Sequence, residues 1–434
     1  MKRPVVITLL VVALILVSVG IGSVIYFANG FQTNNPFDTL NISSVLEESK
    51  TLNVDTEKPI TLKVTDDAGD ITVTGADVDT MQLKVIKTAY DSTQARADEE
   101  VKGIKYTVEQ NGNAITIKYE IPKSMNFSNN VNTVDFIVTV PNETSVDVDT
   151  SFGDVSVSNT KGKVVIANDF GDVAMENIEG ELSVESSSGD LSATSVKAGT
   201  GEVDLHTDFG SVDLEKVSAK NITARSNSGT IELKDVRATG EIFTHSDFGD
   251  IEYENGSAAS LNVETNSGKV TLVKLKITRE LKVNDDFGDI ELEQAAAGSY
   301  DLHTNSGSVT IDGVKGDLKA HTDFGNITIL NAESVTLDIK TNSGNIEFTG
   351  SLGEGLHMVK SDFGGIDLNL PGDSALNVDL KTDFGSIKSD LPITVTLNES
   401  SGSDKSQIVG AINGGGGQLT VQTNSGNIKI IVIK

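Results

Sequence analysis

Apolar residues alternate with polar ones in two short runs flanking a polar corner, and the chain repeats this arrangement along most of its length. Residues 281–292, LKVNDDFGDIEL, carry it plainly: Leu281 and Val283 precede the corner, and Ile290 and Leu292 follow it. One repeat later, YDLHTNSGSVTI keeps the pattern with Asn-Ser-Gly where Asp-Phe-Gly stood. The corner glycines fall at Gly153, Gly171, Gly189, Gly210, Gly229, Gly249, Gly268, Gly288, Gly307, Gly325, Gly344, Gly364 and Gly385, in steps of 18 to 21 residues. Gly402 and Gly426 extend the series less regularly, and Gly69 is an early, isolated member. A fixed period of this size is the mark of a solenoid.

Counted from each glycine, the positions seven and five before it are apolar, as at Leu182 and Val184, Val203 and Leu205, or Leu261 and Val263. So are those two and four after it, as at Val212 and Leu214, Ile231 and Leu233, or Ile327 and Ile329. Period two on both flanks predicts two short strands, each with one buried face. Glycine accepts positive φ at the turn, and the neighbouring Asp, Asn and Ser bond their own backbone. One rung buries too little to offset the entropy of ordering its residues, so rungs must lean on one another. The competing arrangement, an antiparallel hairpin at every corner, would leave edges open, and neither tripeptide is a favoured two-residue hairpin turn. The expected fold class is all-β: a parallel β-helix-like β-solenoid with rungs of about 19 residues over residues 146–434, preceded by one N-terminal transmembrane helix.

A slower pattern overlies the first. The residue before the corner glycine is Phe at 152, 170, 209, 248, 287, 324, 363 and 384, and Ser at 188, 228, 267, 306, 343, 401 and 425. Parity with the buried positions places this residue inward, where alternating large and small side chains would interdigitate. The preceding residue is Asp with Phe and mostly Asn with Ser, on the exposed parity. A continuous Asp row would repel itself, and Asn halves that charge. Thr207, Thr265, Thr304, Thr322 and Thr341, three residues before their glycines, fall in phase with the core.

Residues 5–28 form an uncharged run long enough to span a bilayer. Lys2 and Arg3 precede it and no Lys or Arg follows until Lys50, which predicts a cytoplasmic tail at 1–4 and an extracytoplasmic remainder. A cleaved signal sequence is the competing assignment. Residues 29–50 suit a polar stalk. Residues 51–145 suit an N-terminal β cap, since terminal repeats must cover an open core end. Within it we expect a first rung at 62–73, a short helix at 92–101, a hairpin about Asn111-Gly112 and a strand at 134–140. The final strand, residues 428–434, is apolar without a polar cap, an exposed end through which rods could self-associate.

Composition narrows the chemistry. With 63 acidic against 34 basic residues the formal charge is −29, which argues against a nucleic-acid partner and disfavours anionic lipid. The chain has no cysteine, which removes disulfides, thiolate metal sites and cysteine nucleophiles. Asp-Phe-Gly is also the metal-binding tripeptide of protein kinases, but here it occurs seven times without the accompanying loops, and is a turn. His206, His245, His303 and His321 each stand four residues before a corner glycine, on an exposed row shared with Arg225, Lys340, Lys360 and Lys381. The metal candidates are His303, His321, Asp286 and Asp323, although the cations in that row favour a plain polar strip. No cofactor is expected. The acidic corners suit weak Ca²⁺ binding at most, because the Gly-Gly-x-Gly-x-Asp repeat of calcium β-rolls is missing. There is no nucleophile motif or phosphate loop and no distinguished carboxylate pair, so no catalytic residue is assigned and no enzyme is expected.

The repeats TDFGSVDL (207–214), SNSGTIEL (226–233) and SDFGDIEY (246–253), with VDFIVTVP (134–141), resemble the bacterial "putative adhesin" family. It comprises β-solenoid repeat proteins of largely unknown function, LiaG-type membrane-anchored envelope proteins among them. The resemblance covers about residues 52–434 and carries over no catalytic residue. It implies a membrane-anchored, extracytoplasmic binding, adhesive or scaffold surface whose partner is a protein or glycan of the bacterial cell envelope. The alternatives are a carbohydrate-active enzyme on a β-helix, which would present a cleft lined by clustered Asp, Arg and Lys, and a self-assembling rod.

Overall fold

From Gly153 to Gly364, each corner glycine joins two strands that pair only with their equivalents in neighbouring rungs. Val164–Phe170 lies parallel to Thr144–Phe152 on one side and to Leu182–Ser188 on the other. Val173–Glu176 likewise lies between Val155–Ser158 and Leu191–Thr194. The corners are therefore bends of one coil, and hairpins at every corner are ruled out. The computed structural model describes residues 42–122, 131–395 and 406–433. In them thirteen corner glycines, from Gly153 to Gly385, each turn one rung of the coil. The proposed cytoplasmic tail and membrane span, residues 1–28, lie outside the described residues, among which no helix is long and apolar enough to cross a membrane.

The core is the one the alternation predicts: Val203, Leu205, Val212, Leu214 and their equivalents are buried in one continuous apolar column. The sequence did not announce a second corner six residues after the glycine. There Asn159, Asn177, Ser195, Lys216, Asp235, Asn255, Lys274, Gln294 and Asn331 all hold φ between 52° and 60°. A left-handed residue other than glycine costs about 1 kcal/mol or more. It is held by the ladder, since its N–H donates to a carbonyl of the next rung, as from Lys216 to Lys234 at 2.9 Å. The following residue (Ile178, Val196, Val217, Val236 or Leu275) then turns into the core. A short third face, four parallel strands at Ser218–Ala219, Arg237–Ala238, Ser257–Ala258 and Lys276–Ile277, closes the middle of the coil.

Both ends are built out of sequence order. At the N-terminal end, β1 (Ile42–Asn53) begins inside the segment assigned to the stalk and pairs antiparallel with β4 (Thr80–Asp91). β2 (Ile60–Asp66) and β3 (Ile71–Ala76) make the expected early rung. β5 (Tyr106–Asn111) and β6 (Ala114–Tyr119) form the expected hairpin, and β6 with β7 (Thr133–Pro141) makes the outermost rung, parallel to β2 and β3. The coil then resumes on the other side of β2 and β3. The cap's helix, α1 (Gln94–Gly103), starts two residues later than expected. Thr93 is its N-cap, accepting from the Arg96 N–H at 3.4 Å, and Ala97 and Val101 are buried.

At the C-terminal end, strands Gly417–Ser425 and Ile428–Val432 slot between two earlier rungs. Ile428–Val432 pairs with Ile366–Leu370 on one edge and with Ile387–Ser389 on the other. The expectation of an apolar strand exposed at the tip is thereby corrected. Ile428 and Ile430 are buried, Ile433 is 39% exposed, and over residues 428–430 neither edge is open for end-to-end pairing of rods. Ser406–Ile412, antiparallel to Leu376–Phe384, lies outside this inserted rung.

Candidate binding surface

The glycine corner carries four parallel rows of side chains. Three residues before the glycine lies an inward hydroxyl. Thr207 donates to the Gly189 carbonyl at 3.1 Å, Ser226 to Gly210 at 2.7 Å, Thr304 to Gly288 at 3.1 Å and Thr341 to Gly325 at 3.0 Å. This is the core-lining role expected of the threonines. Where it donates, the row helps hold the corner carbonyl against which the next glycine packs.

Two residues before the glycine stands the Asp/Asn row. Asn227 donates through Nδ2 to Asp208 at 2.7 Å, Asn266 to Asp247 at 2.7 Å, Asn305 to Asp286 at 2.8 Å and Asn342 to Asp323 at 2.7 Å. Asn therefore does more than dilute charge, since each one ties its rung to the preceding carboxylate. On the far side of the glycine a second polar row forms. The Asp172 N–H donates to Asp154 at 2.9 Å, Lys269 to Asp250 at 2.7 Å and Ser308 to Asp289 at 2.7 Å.

Between these polar rows runs the phenylalanine row, and here the inward placement is overturned. Phe209, Phe248, Phe287, Phe324 and Phe363 are each 65–66% exposed, and Phe384 72%. The reason is the bend. In the ladder Asn168 pairs with Thr150 and Phe170 with Phe152, while residue 169 between them is unpaired. Strand parity is broken one residue before the phenylalanine, so the ring points out. Core packing therefore does not impose the Phe/Ser alternation. Phe152 and Phe170 in fact stack on successive rungs, with centroids 5.2 Å apart and planes at 6°. The alternation nonetheless runs further in space than in sequence. The inserted C-terminal rung places Ser425 between Phe363 and Phe384.

The histidine row lies beside these. His303 and His321 are neighbours in register. Yet His303 Nε2 lies 3.1 Å from Asn305 Oδ1, and His321 Nε2 lies 3.3 Å from Asp338 Oδ1. Asp286 and Asp323 are engaged by Asn305 and Asn342. The four candidates do not converge, and among the described residues no cluster of three or more His, Asp or Glu is placed to hold a metal ion.

Two buried carboxylates escaped the sequence reading. Asp66 and Asp285 stand in the inward hydroxyl row, where Thr or Ser is the rule, and the sign was an extra Asp at that position in DDAGD and DDFGD. One oxygen of each accepts a backbone N–H two residues on, at 3.0 Å. The other has no partner, nor do the hydroxyls of Thr150 and Thr265, which face them in register. Burial pushes the Asp66 carboxyl up to about 8 and that of Asp285 up to about 7. A carboxyl raised on folding binds its proton more tightly in the native state. Stability is therefore highest below the unfolded value and declines as pH rises through the folded one. Asp285→Thr should raise stability on the order of 2 kcal/mol at pH 8 and much less at pH 4.5. Urea unfolding at the two pH values checks this, and an equal effect at both would exclude buried ionisation as the cause.

The recesses of the surface are open. One of about 590 Å³ lies at the head of the phenylalanine row, lined by Asp70, Thr88, Asp135 and Phe152 among others. Another of about 260 Å³ includes Glu280, Asp301, Asp317 and Asp338, with Lys319 paired to Asp301 at 3.2 Å.

A family model described as Toastrack DUF4097 matches residues 61–274 and 254–431. Among solved structures, the chain is similar to a putative cell adhesion protein from Clostridium sporogenes, at 10% identity, 90% of this chain, 100% of that one and a TM-score of 0.18. It is also similar to a putative adhesin from Bacteroides fragilis, at 16% identity, 65% of this chain, 96% of that one and a TM-score of 0.30. A putative adhesin from Parabacteroides merdae matches at 14% identity, 71% of this chain, 95% of that one and a TM-score of 0.20. Among proteins of curated function none matches the sequence.

Proposed function

The chain belongs to the Toastrack DUF4097 family, and from that premise we propose that it is a single-pass membrane protein holding an adhesin-like binding surface outside the cytoplasm, against a component of the bacterial cell envelope. The observation that carries this reading is the row of outward phenylalanines between two hydrogen-bonded polar rows. Aromatic rings left exposed at regular spacing, at positions where the fold also accepts serine, support a site of interaction. The row is repeated and surface-lying, a geometry suited to holding an extended partner and unsuited to enclosing a reacting molecule. The uncharged run at 5–28 supports the anchor, and the absence of Lys and Arg between Arg3 and Lys50 supports its orientation.

Expression of the full chain in a bacterial host tests this. It should stay with the membrane pellet through high-salt and carbonate washes. Protease added outside spheroplasts should digest it, and it should retain isolated envelope fragments. Recovery in the cytosol, protection from external protease, or failure to retain envelope material would each overturn the reading.

A further inference from the structure

We propose that the phenylalanine edge binds an extended β-1,4-linked amino-sugar polymer laid along the coil axis, one ring of each two-sugar repeat stacking on one phenylalanine. This rests on the binding-surface reading above and names its ligand class.

The fold does not need these rings. Serine occupies the same corner position in the alternate rungs, at Ser228, Ser267 and Ser343, within the same register of parallel strands. Nor does the fold forbid them on successive rungs, since Phe152 and Phe170 stack there. What the alternation sets is a spacing. Strands in register lie about 4.8 Å apart, so phenylalanines on every second rung stand ~9.6 Å apart along the coil. An extended peptide repeats its side-chain direction every ~6.8 Å and would drift out of step within a few rungs. A β-1,4-linked sugar chain turns each ring over relative to the last. It presents the same apolar C–H face once per two sugars, with a period close to that of the row.

Charge selects among polymers of this shape. Asp208, Asp247, Asp286 and Asp323 line one side of the rings, each held by an Asn of the next rung. Asp250 and Asp289 line the other side. Two carboxylate lines on a chain of net charge −29 repel an anionic polymer, and equally a second copy of the same edge. Hydroxyl, amide and ammonium donors on a sugar chain complement them.

The test uses the full chain in detergent micelles and a variant with Phe209, Phe248, Phe287, Phe324 and Phe363 all replaced by Ser, the residue the fold already accepts there. The probes are chitosan oligosaccharides of two and six sugars, a six-sugar chitin oligosaccharide, and a six-sugar β-1,4-linked mannuronate as the anionic control. Calorimetric titration should give binding of both amino-sugar hexamers, at least about ten-fold tighter for six sugars than for two. The variant should bind about ten-fold more weakly or worse, with its thermal midpoint unchanged. Equal binding by variant and parent, binding of neither amino-sugar hexamer, or equal binding of the anionic control would overturn the proposal. Sedimentation that finds a dimer of the parent, lost in the variant and without sugar binding, would assign the edge to a second copy. Retention of envelope fragments without oligosaccharide binding would remove this ligand class and leave the broader function standing.

Discussion

Replacing Gly364 with alanine should destabilise the C-terminal rungs by about 3 kcal/mol or more, while the same change at its neighbour Gly365 should be nearly neutral. A methyl on Gly364 would sit 1.9 Å from the Gly344 carbonyl oxygen and 2.5 Å from its carbon, both backbone atoms. That carbonyl cannot swing aside freely, because the Ser361 hydroxyl holds it at 2.8 Å. Nor can Gly364 retreat, since Gly426 packs on its carbonyl from the other side in the same way. At Gly365 the nearest atoms to such a methyl are Asn345 Oδ1 and Asn427 O, both at 3.6 Å, and its backbone is not left-handed. Alanine there also restricts the unfolded chain, an effect of about 0.4–1 kcal/mol in favour of folding. Urea midpoints, with amide exchange followed over residues 356–370 and 417–432, separate the two. A similar loss at both positions would mean that the corner tolerates no side chain for some reason other than this contact.

The contrast also shows where the sequence stops speaking. The period of the glycines, the alternation of Val203, Leu205, Val212 and Leu214, and the inward threonines were all legible, because each follows from strand parity alone. The reason for the glycines was only half legible. Positive φ explains Gly153 and Gly171, with φ of 139° and 135°, but close approach to the preceding corner carbonyl is what recurs along the column. Parity failed for the phenylalanines because it presumes a strand running unbroken through the bend, and the ladder breaks at the residue before them. The second corner was hidden because its left-handed positions are filled by residues as unlike as Asn177, Lys216 and Gln294. Their conformation is imposed by the ladder and not by their own preference. The inserted C-terminal rung was hidden because pairing between parallel strands is indifferent to order along the chain. The one clue was Phe363 followed by Phe384 with no serine corner between them, a gap that Ser425 fills in space. Of the candidate binding surface, the sequence held every residue and lacked only the direction in which the rings point.

Changing Asn266, Asn305 and Asn342 together to Asp should lower the melting temperature substantially, and more at low salt than at high. Two effects combine. Each substitution removes a bond to a carboxylate, from Asn266 to Asp247 at 2.7 Å, Asn305 to Asp286 at 2.8 Å and Asn342 to Asp323 at 2.7 Å. Each also completes a run of carboxylates on successive rungs from Asp247 to Asp362. Neighbouring charges one strand apart repel by about 1 kcal/mol in water, and more where the surface excludes it. The row is partly exposed, so salt screens the repulsion: the Debye length falls from about 10 Å at 0.1 M to about 3 Å at 1 M. The lost hydrogen bonds are not recovered in this way. The triple change to Ser, which removes the bonds without adding charge, should therefore cost about 1 kcal/mol per site with little salt dependence. The Asp variant should approach it at high salt, and also below pH 4, where the added carboxyls take up protons. Melting curves of the three proteins at 0.05 M and 1 M salt decide the matter. If the Asp and Ser variants lose the same stability at both concentrations, Asn acts in this row only as a hydrogen-bond donor, and spacing of charge has no part in the alternation.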